Sequence, residues 1–284
     1  MRKKPLIGTC AAAFFGAVAL TGLAASPAGA TGAEAQAKAP KAPTFEGTVA
    51  LSNCSGSVVK MPNSKPEDKA LVMSNGHCLE EGMPGAGEVI VDKPTNRDFT
   101  LLKADGSDAG QISSEKIAYA TMTDTDVSLY EATSTYKEIE DKYGLKALEL
   151  DAEHPAKGNK ITVVSGYWKE TYSCAAEDFV HQLKEGDWTW KDSIRYTADC
   201  KIKGGTSGSP VIDDASGKVV GVNNTMNESG EECTMNNPCE VDENGETTVR
   251  QGIGYGQQTY LIAPCVAEGN KIDLGREGCA LPKP

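Results

Sequence analysis

The sequence is poor in histidine, in positive charge and in metal-binding motifs. It contains three histidines among 284 residues, and its 28 lysines and arginines are outnumbered by 40 aspartates and glutamates. The formal net charge of −12 argues against nucleic acid and anionic membranes as partners, because both repel an acidic protein. The chain has no Cys-x-x-Cys pair or Cys/His cluster, which excludes the usual structural zinc sites and predicts no bound metal.

The first 30 residues have the features of a secretory signal peptide. Three basic residues, Arg2, Lys3 and Lys4, precede the apolar run LIGTCAAAFFGAVALTGLAA, and a small-residue cleavage site, AGA, ends at Ala30. A retained membrane anchor is the alternative, which the small-residue exit disfavours. We therefore expect cleavage after Ala30, a secreted, extracellular protein, and no membrane contact after cleavage.

Short strand-like runs between turn residues dominate the chain from residue 45 onward. Examples are TVALSN, KALVMSN and DVSLYEA in the first half, and KITVVSGYW, KVVGVNN and TVRQGIGYGQQTY in the second. Such a pattern is typical of an all-β sandwich or barrel. Residues 31–44, which are rich in alanine and proline, predict a linker or a propeptide.

One segment between the two strand-rich halves has helical periodicity. In STYKEIEDKYGLKAL the apolar residues recur at helical spacing, Thr135 and Glu138 fit a capping box, and Gly144 fits a C-cap. The spacing predicts a short helix over residues 136–143. Since this helix lies midway along the strand-rich region, we expect it to mark a domain boundary.

His77 is the candidate general base among the three histidines. His154 lies in the polar loop DAEHPAKGN and His181 in EDFVHQLKEGD, an exposed strand or turn, so both are expected to be surface residues. His77 instead ends the apolar run ALVMSNGHCL and is followed by Cys78, and the strand before offers Cys54 as a partner. A disulfide there would fix the backbone beside the imidazole, as a base in a fixed rotamer requires.

Asp126 is the candidate carboxylate that orients His77. It opens the strand-like run DVSLYEA, where a half-buried carboxylate needs a partner. In a serine triad, a buried carboxylate holds the imidazole tautomer and stabilises the imidazolium. Asp124, in the turn MTDT, is the alternative, and we expect it to be exposed.

The stretch KGGTSGSPV, residues 203–211, predicts either a flexible turn or a nucleophile turn. Glycines on both sides of Ser207 would let the N–H groups of Gly205 and Ser207 point at a developing oxyanion. Ser209 is the alternative nucleophile, but Pro210 disfavours helical geometry for it and places it at a strand entry.

Taken in order, NGHC, DVSL and GTSGSP resemble the motifs of the chymotrypsin-like (trypsin fold) serine peptidases. NGHC is similar to Ala-Ala-His-Cys and DVSL to Asp-Ile-Ala-Leu. GTSGSP is similar to Gly-Asp-Ser-Gly-Gly-Pro, and closer to the Gly-Asn-Ser-Gly-Ser-Pro of bacterial glutamyl endopeptidases. The resemblance covers roughly residues 45–268. It implies an all-β fold of two packed antiparallel six-stranded β-barrels with a short interdomain helix. The N-terminal barrel would span residues 45–135, and residues 136–284 would hold the linker helix, the C-terminal barrel and a C-terminal tail.

This resemblance implies a secreted serine endopeptidase that hydrolyses peptide bonds through an acyl-enzyme. Ser207 would be the nucleophile, His77 the base and Asp126 the orienting carboxylate, with Gly205 and Ser207 forming the oxyanion hole. It implies protein or peptide substrates, no cofactor and a monomer. The alternatives are a non-catalytic secreted binding protein on the same fold and, less favoured, a secreted esterase.

The departures from the family concern activation and specificity. Thr206 stands where animal members carry an aspartate that pairs with a freshly cut N-terminus, so we expect activity without such a cut. Lys201 stands where trypsins carry an acid, which argues against trypsin-like specificity. Lys201 is either a residue that selects Glu or Asp or a solvated lysine. By resemblance, Asn223, Asn224 and Thr225 in VVGVNNT contact the substrate.

Eight cysteines remain after residues 1–30 are removed, and an even number in an exported chain predicts four disulfides. Spacing alone does not determine the pairing. The family resemblance implies Cys54–Cys78, which closes the histidine loop. Short separation suggests two more pairs and leaves a fourth: Cys233–Cys239, Cys265–Cys279 and Cys174–Cys200.

Three tryptophans remain to be placed: Trp168, Trp188 and Trp190. They could line a ligand groove. Tryptophans more often fill a barrel core or a seam between domains, which is the expectation here.

Overall fold

A computed structural model describes residues 42–284. The signal peptide predicted at residues 1–30 and most of the linker predicted at residues 31–44 lie outside the described residues. Sixteen β-strands, one α-helix and three short 3-10 helices occur within residues 42–284. In that part of the chain no helix combines the length and apolarity needed to cross a membrane.

The first half of the described chain forms a closed antiparallel barrel. This half of the chain contains seven strands, of which six form the barrel. In chain order they are β1 (Thr48–Ala50), β2 (Ser55–Lys60), β3 (Lys69–Ser74), β4 (Val89–Pro94), β5 (Asp98–Leu102), β6 (Asp108–Thr121) and β7 (Val127–Thr135). Hydrogen bonds run in the order β1-β5-β6-β7-β3-β2, and β2 pairs back with β1 to close a ring of six strands. β4 pairs with the long strand β6 outside this ring.

A single α-helix, α1 (Tyr136–Tyr143), follows the first barrel. The Thr135 hydroxyl accepts from the Glu138 N–H, and the Glu138 carboxylate accepts from the Thr135 N–H, which together form a capping box. Gly144 ends the helix in the left-handed conformation, with φ of 69°. Ile139 is the buried residue of its apolar face. The predicted helix and both of its caps are confirmed.

The second half forms another closed ring of six antiparallel strands. After the two-residue β8 (Leu148–Glu149), which pairs in parallel with β2, come β9 (Lys160–Ser165), β10 (Glu170–Glu185), β11 (Trp188–Tyr196), β12 (Pro210–Asp213), β13 (Val219–Met226), β14 (Cys239–Val241), β15 (Thr247–Val249) and β16 (Gly254–Gln258). The ring runs β9-β10-β11-β16-β13-β12 and back to β9, while β14 and β15 extend the sheet from β10. The predicted all-β double-barrel fold is confirmed.

Three main groups of buried side chains stabilise this arrangement. One lies inside each barrel, and a third draws Met73 and Leu129 from the first barrel together with Val164 and Val222 from the second. Because β2, β3 and β13 face a barrel interior on one side and this shared core on the other, they are buried on both faces. This shared core fixes the strand ends from which the site residues project.

Four disulfides reinforce the barrels, and they join the expected cysteine pairs. These are Cys54–Cys78, Cys174–Cys200, Cys233–Cys239 and Cys265–Cys279. Cys54–Cys78 links the start of β2 to the segment that follows β3. It therefore constrains the backbone next to His77.

Candidate active site

His77 and Asp126 meet where two paired strands of the first barrel lie side by side. His77 belongs to the short 3-10 helix Gly76–Cys78 that follows β3, and Asp126 directly precedes β7, which pairs with β3. The His77 Nδ1 atom lies 2.7 Å from Asp126 Oδ2, and the His77 N–H donates to Asp126 Oδ1 at 3.1 Å. Asp126 is fully buried, whereas the His77 side chain is 21% exposed. Asp126 thus holds both the ring and the backbone of His77.

The contact with Asp126 sets the tautomer and the basicity of His77. A carboxylate only accepts hydrogen bonds, so Nδ1 carries the proton and Nε2 keeps its lone pair. Burial lowers the pKa of His77, but the charge and hydrogen bond of Asp126 and the charge of Glu185 outweigh it. The net result is a pKa above the ordinary value of 6.5.

Close packing fixes the backbone on both sides of His77. A Cβ atom on Gly76 would lie 2.3 Å from the Thr121 carbonyl oxygen, so only glycine fits directly before the histidine. On the other side, the buried Arg97 guanidinium donates to the Cys78 carbonyl at 2.7 Å. Sequence reasoning identified the cysteine beside His77 but missed Arg97, which lies 19 residues along the chain from Cys78.

Ser207 lies in a tight turn between the two barrels. The turn begins where the Thr206 N–H and hydroxyl both donate to the Lys203 carbonyl, at 3.1 and 2.6 Å. Gly208 follows with φ of +78°, and a Cβ there would lie 2.0 Å from the Ser55 carbonyl oxygen. The Ser55 N–H in turn donates to the Ser207 carbonyl at 2.8 Å. Because the turn packs directly on β2 of the first barrel, no side chain fits after Ser207.

Two backbone donors next to Ser207 remain free. Within residues 42–284, the N–H groups of Gly205 and Ser207 donate to no acceptor, whereas the N–H of Thr206 is bonded. Gly205 has φ of +86°, a conformation that favours glycine. The Ser207 hydroxyl donates to the Asn224 carbonyl at 3.2 Å. The turn therefore contains one hydroxyl and two backbone N–H groups that have no acceptor among the described residues.

A side chain that sequence reasoning overlooked joins the two halves of the site. The fully buried Asn75 donates through Nδ2 to the Asp126 carbonyl at 2.8 Å, and its Oδ1 accepts from the Gly208 N–H at 2.6 Å. One amide thus holds the Asp126 backbone and the Ser207 turn in register. Its place in the motif NGHC at the end of an apolar strand was the available signal, because a buried amide there needs partners.

One cavity is lined by both His77 and Ser207. Asn223, Asn224 and Thr225, which were predicted to contact substrate, also line it. The Asn223 Nδ2 atom donates to the carbonyl oxygen and to the hydroxyl oxygen of Thr206, each at 3.0 Å. These contacts stabilise the Ser207 turn. In the described part of the chain, the buried side-chain amide of Asn224 has no hydrogen-bond partner.

Lys201 does not lie where a specificity residue is needed. It is exposed, its ammonium donates to the Ala198 carbonyl at 2.6 Å, and it is not among the residues that line the cavity. The turn that ends at Cys200 directs the lysine side chain back along its own segment. This placement agrees with the alternative in which Lys201 is a solvated lysine. It gives no support to the alternative in which Lys201 selects acidic side chains of the substrate.

The alternative residues weighed from the sequence lie apart from His77. Asp124 is 44% exposed at its side chain and pairs with Lys191 at 2.9 Å. The Ser209 hydroxyl is buried and donates to the Thr206 carbonyl at 2.6 Å, inside the turn. His154 bonds Gln258 at 2.8 Å on the second barrel, and His181 is exposed on β10.

The cavity wall also contains an unpredicted glutamate and two tryptophans. Glu185, at the end of β10, is 5% exposed and lines the cavity. Burial raises its pKa, although the hydrogen bonds from Thr225 and Asn236 act in the opposite direction. Trp188 and Trp190 line the same cavity. Trp190 is also buried in a core cluster with Leu183 and Tyr255, and Trp188 packs against that cluster, so the core expectation is confirmed for Trp190. Trp168 is 43% exposed.

Among residues 42–284, one group of three side chains has ligand atoms close enough to hold a metal ion. It consists of Cys54, His77 and Cys78, whose ligand atoms lie within 4.8 Å of one another. Both sulfurs belong to the Cys54–Cys78 disulfide and provide no thiolate. The donor set therefore does not suit zinc or another thiophilic metal.

A comparison with protein families agrees with this geometry. The model of the trypsin-like peptidase domain matches residues 54–222, which is more than half of the chain and contains His77, Asp126 and Ser207. The chain belongs to the trypsin-like peptidase family. Among curated protein sequences, none matches this trypsin-like peptidase.

Solved structures similar to this trypsin-like peptidase include three bacterial proteases. The MamO protease domain from Magnetospirillum magneticum is 11% identical, with 79% of this chain and 98% of that chain covered and a TM-score of 0.49. The active form of the Rv3671c protease from M. tuberculosis is 15% identical, with 85% of each chain covered and a TM-score of 0.46. The serine endoprotease from Yersinia pestis is 11% identical, with 78% and 62% covered and a TM-score of 0.43.

Proposed function

We propose that this trypsin-like peptidase is a secreted serine endopeptidase with Ser207 as nucleophile, His77 as general base and Asp126 as the carboxylate that orients His77. The observation that carries the proposal is the 2.7 Å contact between His77 and the buried Asp126, in the cavity that also holds Ser207. The four disulfides support secretion, because such bonds persist in oxidising surroundings.

The proposed reaction begins with a rotation of the Ser207 hydroxyl. Its hydrogen bond to the Asn224 carbonyl is replaced by one to His77 Nε2, which is free because Asp126 holds Nδ1. Ser207 Oγ then attacks the scissile carbonyl while its proton passes to Nε2. Asp126 stabilises the imidazolium that forms.

The free N–H groups of Gly205 and Ser207 are placed to bind the oxyanion of the tetrahedral intermediate. The proton on His77 then passes to the leaving amine, and the acyl group stays on Ser207. Water attacks this ester with His77 again as base, which releases the acid and restores the hydroxyl. Protein and peptide segments are the substrates that this reaction implies.

A second candidate function is binding without catalysis on the same fold. The observation in its favour is the hydrogen bond of the Ser207 hydroxyl to Asn224 instead of to His77. Catalytic hydrogen bonds in free enzymes often form only when substrate is present, so this contact is compatible with either function. The glutamyl endopeptidase resemblance of GTSGSP would require a basic residue that selects the substrate. Lys201 does not line the cavity, and Lys203, which does, pairs with Glu170 at 2.8 Å.

Peptide hydrolysis by three matched proteins tests the proposal. Wild-type protein with its disulfides formed should cleave a mixture of random peptides, and Ser207→Ala should lose this activity by about 10⁴-fold or more. Ser209→Ala makes the same chemical change two residues away, inside the turn, and should retain cleavage. A wild-type protein that is folded and cleaves nothing would support binding without catalysis.

A further inference from the structure

The cavity next to Ser207 contains a buried carboxylate, Glu185, that has no lysine or arginine partner among the described residues. Glu185 Oε2 accepts from the Thr225 hydroxyl at 2.6 Å, and Oε1 accepts from the Asn236 N–H at 2.9 Å. Within residues 42–284, no lysine or arginine lies within 4.0 Å of this carboxylate. Each carboxylate oxygen keeps a further lone pair, since the group can accept about four hydrogen bonds.

The other charged side chains of the cavity do not compensate for Glu185. Glu228 lines the cavity and is also acidic. Lys203 lines it as well, but its ammonium pairs with Glu170 at 2.8 Å and lies 4.3 Å from the centre of the Trp168 ring. The positive charge of Lys203 is therefore already partnered, and the cavity retains an excess of negative charge.

Aromatic and thioether groups line the same cavity as this carboxylate. Trp188 donates its indole N–H to the Pro84 carbonyl at 2.9 Å, and Trp190 donates to the Met122 carbonyl at 3.0 Å. These bonds hold both rings in the cavity wall. An aromatic face next to a carboxylate favours an organic cation, because the ring quadrupole and the negative charge both attract it. Apolar neighbours such as Met122 suit the methylene chain that carries the cation.

We propose that Glu185 is a specificity residue that selects substrates carrying a lysine or arginine side chain near the scissile bond. The expectation against such specificity rested on Lys201 alone, whereas Glu185 lies in the cavity at the end of β10. The inference rests on the proposed peptidase function, since it assigns the side chain that enters the cavity while the scissile carbonyl lies at Ser207. The substrate cation provides the charged hydrogen-bond donor that no lysine or arginine of the described residues provides for Glu185. Burial raises the pKa of Glu185, and the opposing hydrogen bonds and the nearby charge of His77 do not offset it.

Matched peptides that differ by one charge test this assignment. A positional peptide library identifies the preferred position, and two internally quenched peptides then carry arginine or its neutral isostere citrulline there. We expect wild-type kcat/KM to favour arginine by roughly 10- to 100-fold, as for a desolvated charge-assisted hydrogen bond. Glu185→Gln should bring this ratio close to one. Glu243→Gln removes the same charge from an exposed position outside the cavity and should keep the wild-type ratio.

A fluorophosphonate titration of active centres separates the possible failures. Wild-type protein that is labelled at Ser207 but cleaves both peptides equally overturns the role of Glu185 and leaves the peptidase function standing. The role of Glu185 is overturned in the same way if Glu185→Gln keeps the wild-type ratio. Wild-type protein that is not labelled overturns the peptidase function, and the specificity role with it. If Glu185→Gln does not fold, the ratio of kcat/KM for the arginine peptide to that for the citrulline peptide is compared between wild type and Glu185→Asp, which keeps the charge. Both proteins should favour arginine, and a wild-type ratio near one overturns the role of Glu185.

Discussion

Replacement of Asn75 by alanine tests whether one amide keeps the two halves of the site in register. The change removes two buried hydrogen bonds, one to the Asp126 carbonyl and one from the Gly208 N–H. Each bond contributes roughly 0.5–1.5 kcal/mol. The Gly208 N–H keeps its second acceptor, the Asn223 carbonyl at 2.9 Å, whereas the Asp126 carbonyl loses its side-chain donor. We therefore expect a loss of about 1–3 kcal/mol in the free energy of unfolding.

The effect of Asn75→Ala on catalysis should exceed what the loss of stability explains. If the Ser207 turn shifts by about 1 Å relative to His77, kcat should fall by roughly 100-fold with KM little changed. Urea unfolding measures the stability, and steady-state kinetics under conditions where the variant is fully folded measure kcat and KM separately. Asn75→Asp keeps the acceptor for Gly208 but places an oxygen against the Asp126 carbonyl, so it should be impaired as well.

Ser128→Ala is the matched control for Asn75. It removes the hydrogen bond from the Ser128 hydroxyl to the Asn75 backbone carbonyl, 2.9 Å long and equally buried, but leaves the Asn75 side chain in place. It should lose about 1 kcal/mol of stability and keep kcat within about twofold. The reasoning is refuted if folded Asn75→Ala retains wild-type kcat, or if Ser128→Ala loses as much kcat as Asn75→Ala.

Three further predictions concern activation, pH and the histidine loop. Thr206→Val should lose about 1–2 kcal/mol of stability in urea unfolding, because it removes the hydroxyl that forms hydrogen bonds with Lys203 and Asn223. Because Thr206 cannot pair with a new N-terminal amino group, extending the mature N-terminus by a few residues should leave kcat/KM unchanged. The kcat/KM should fall as pH drops through the raised pKa of His77. The stability that His77 contributes is full below its unfolded pKa of 6.5 and is lost as pH rises through the raised folded value, which urea unfolding at several pH values would detect. Replacing Cys54 and Cys78 by alanine should cost about 3 kcal/mol of stability, given the 24-residue separation.

Local patterns were sufficient to predict that His77 and Asp126 meet and that Ser207 lines the same cavity as His77. His77, Asp126 and Ser207 each belong to a short motif with its own turn or strand signal, and the structure brings His77 within 2.7 Å of Asp126. The helix at Tyr136–Tyr143 was predictable for the same reason, because its capping-box residues Thr135 and Glu138 are three residues apart and Gly144 directly follows its last residue. Features that depend on neighbouring residues are readable from a single sequence.

Contacts between distant segments could not be predicted in this way. Asn75 and Gly208 are 133 residues apart, and Glu185 and Thr225 are 40 apart, so neither pairing leaves a local pattern. The placement of Glu185 also depends on β10, a strand of 16 residues that the sequence suggested only as an exposed strand or turn around His181. The sequence left Lys201 as either a selecting residue or a solvated lysine, because its spacing from Ser207 does not determine the direction of its side chain, which the turn before it sets.

Covalent labelling by a fluorophosphonate probe, mapped by mass spectrometry, tests the central claim most directly. The probe reacts only with a serine whose proton is taken by an adjacent base. We expect one label per molecule on Ser207 in wild-type protein, none in Ser207→Ala, and a label on Ser207 in Ser209→Ala. A correctly disulfide-bonded wild-type protein that takes no label, or takes it on another residue, would contradict the assignment of Ser207 as nucleophile.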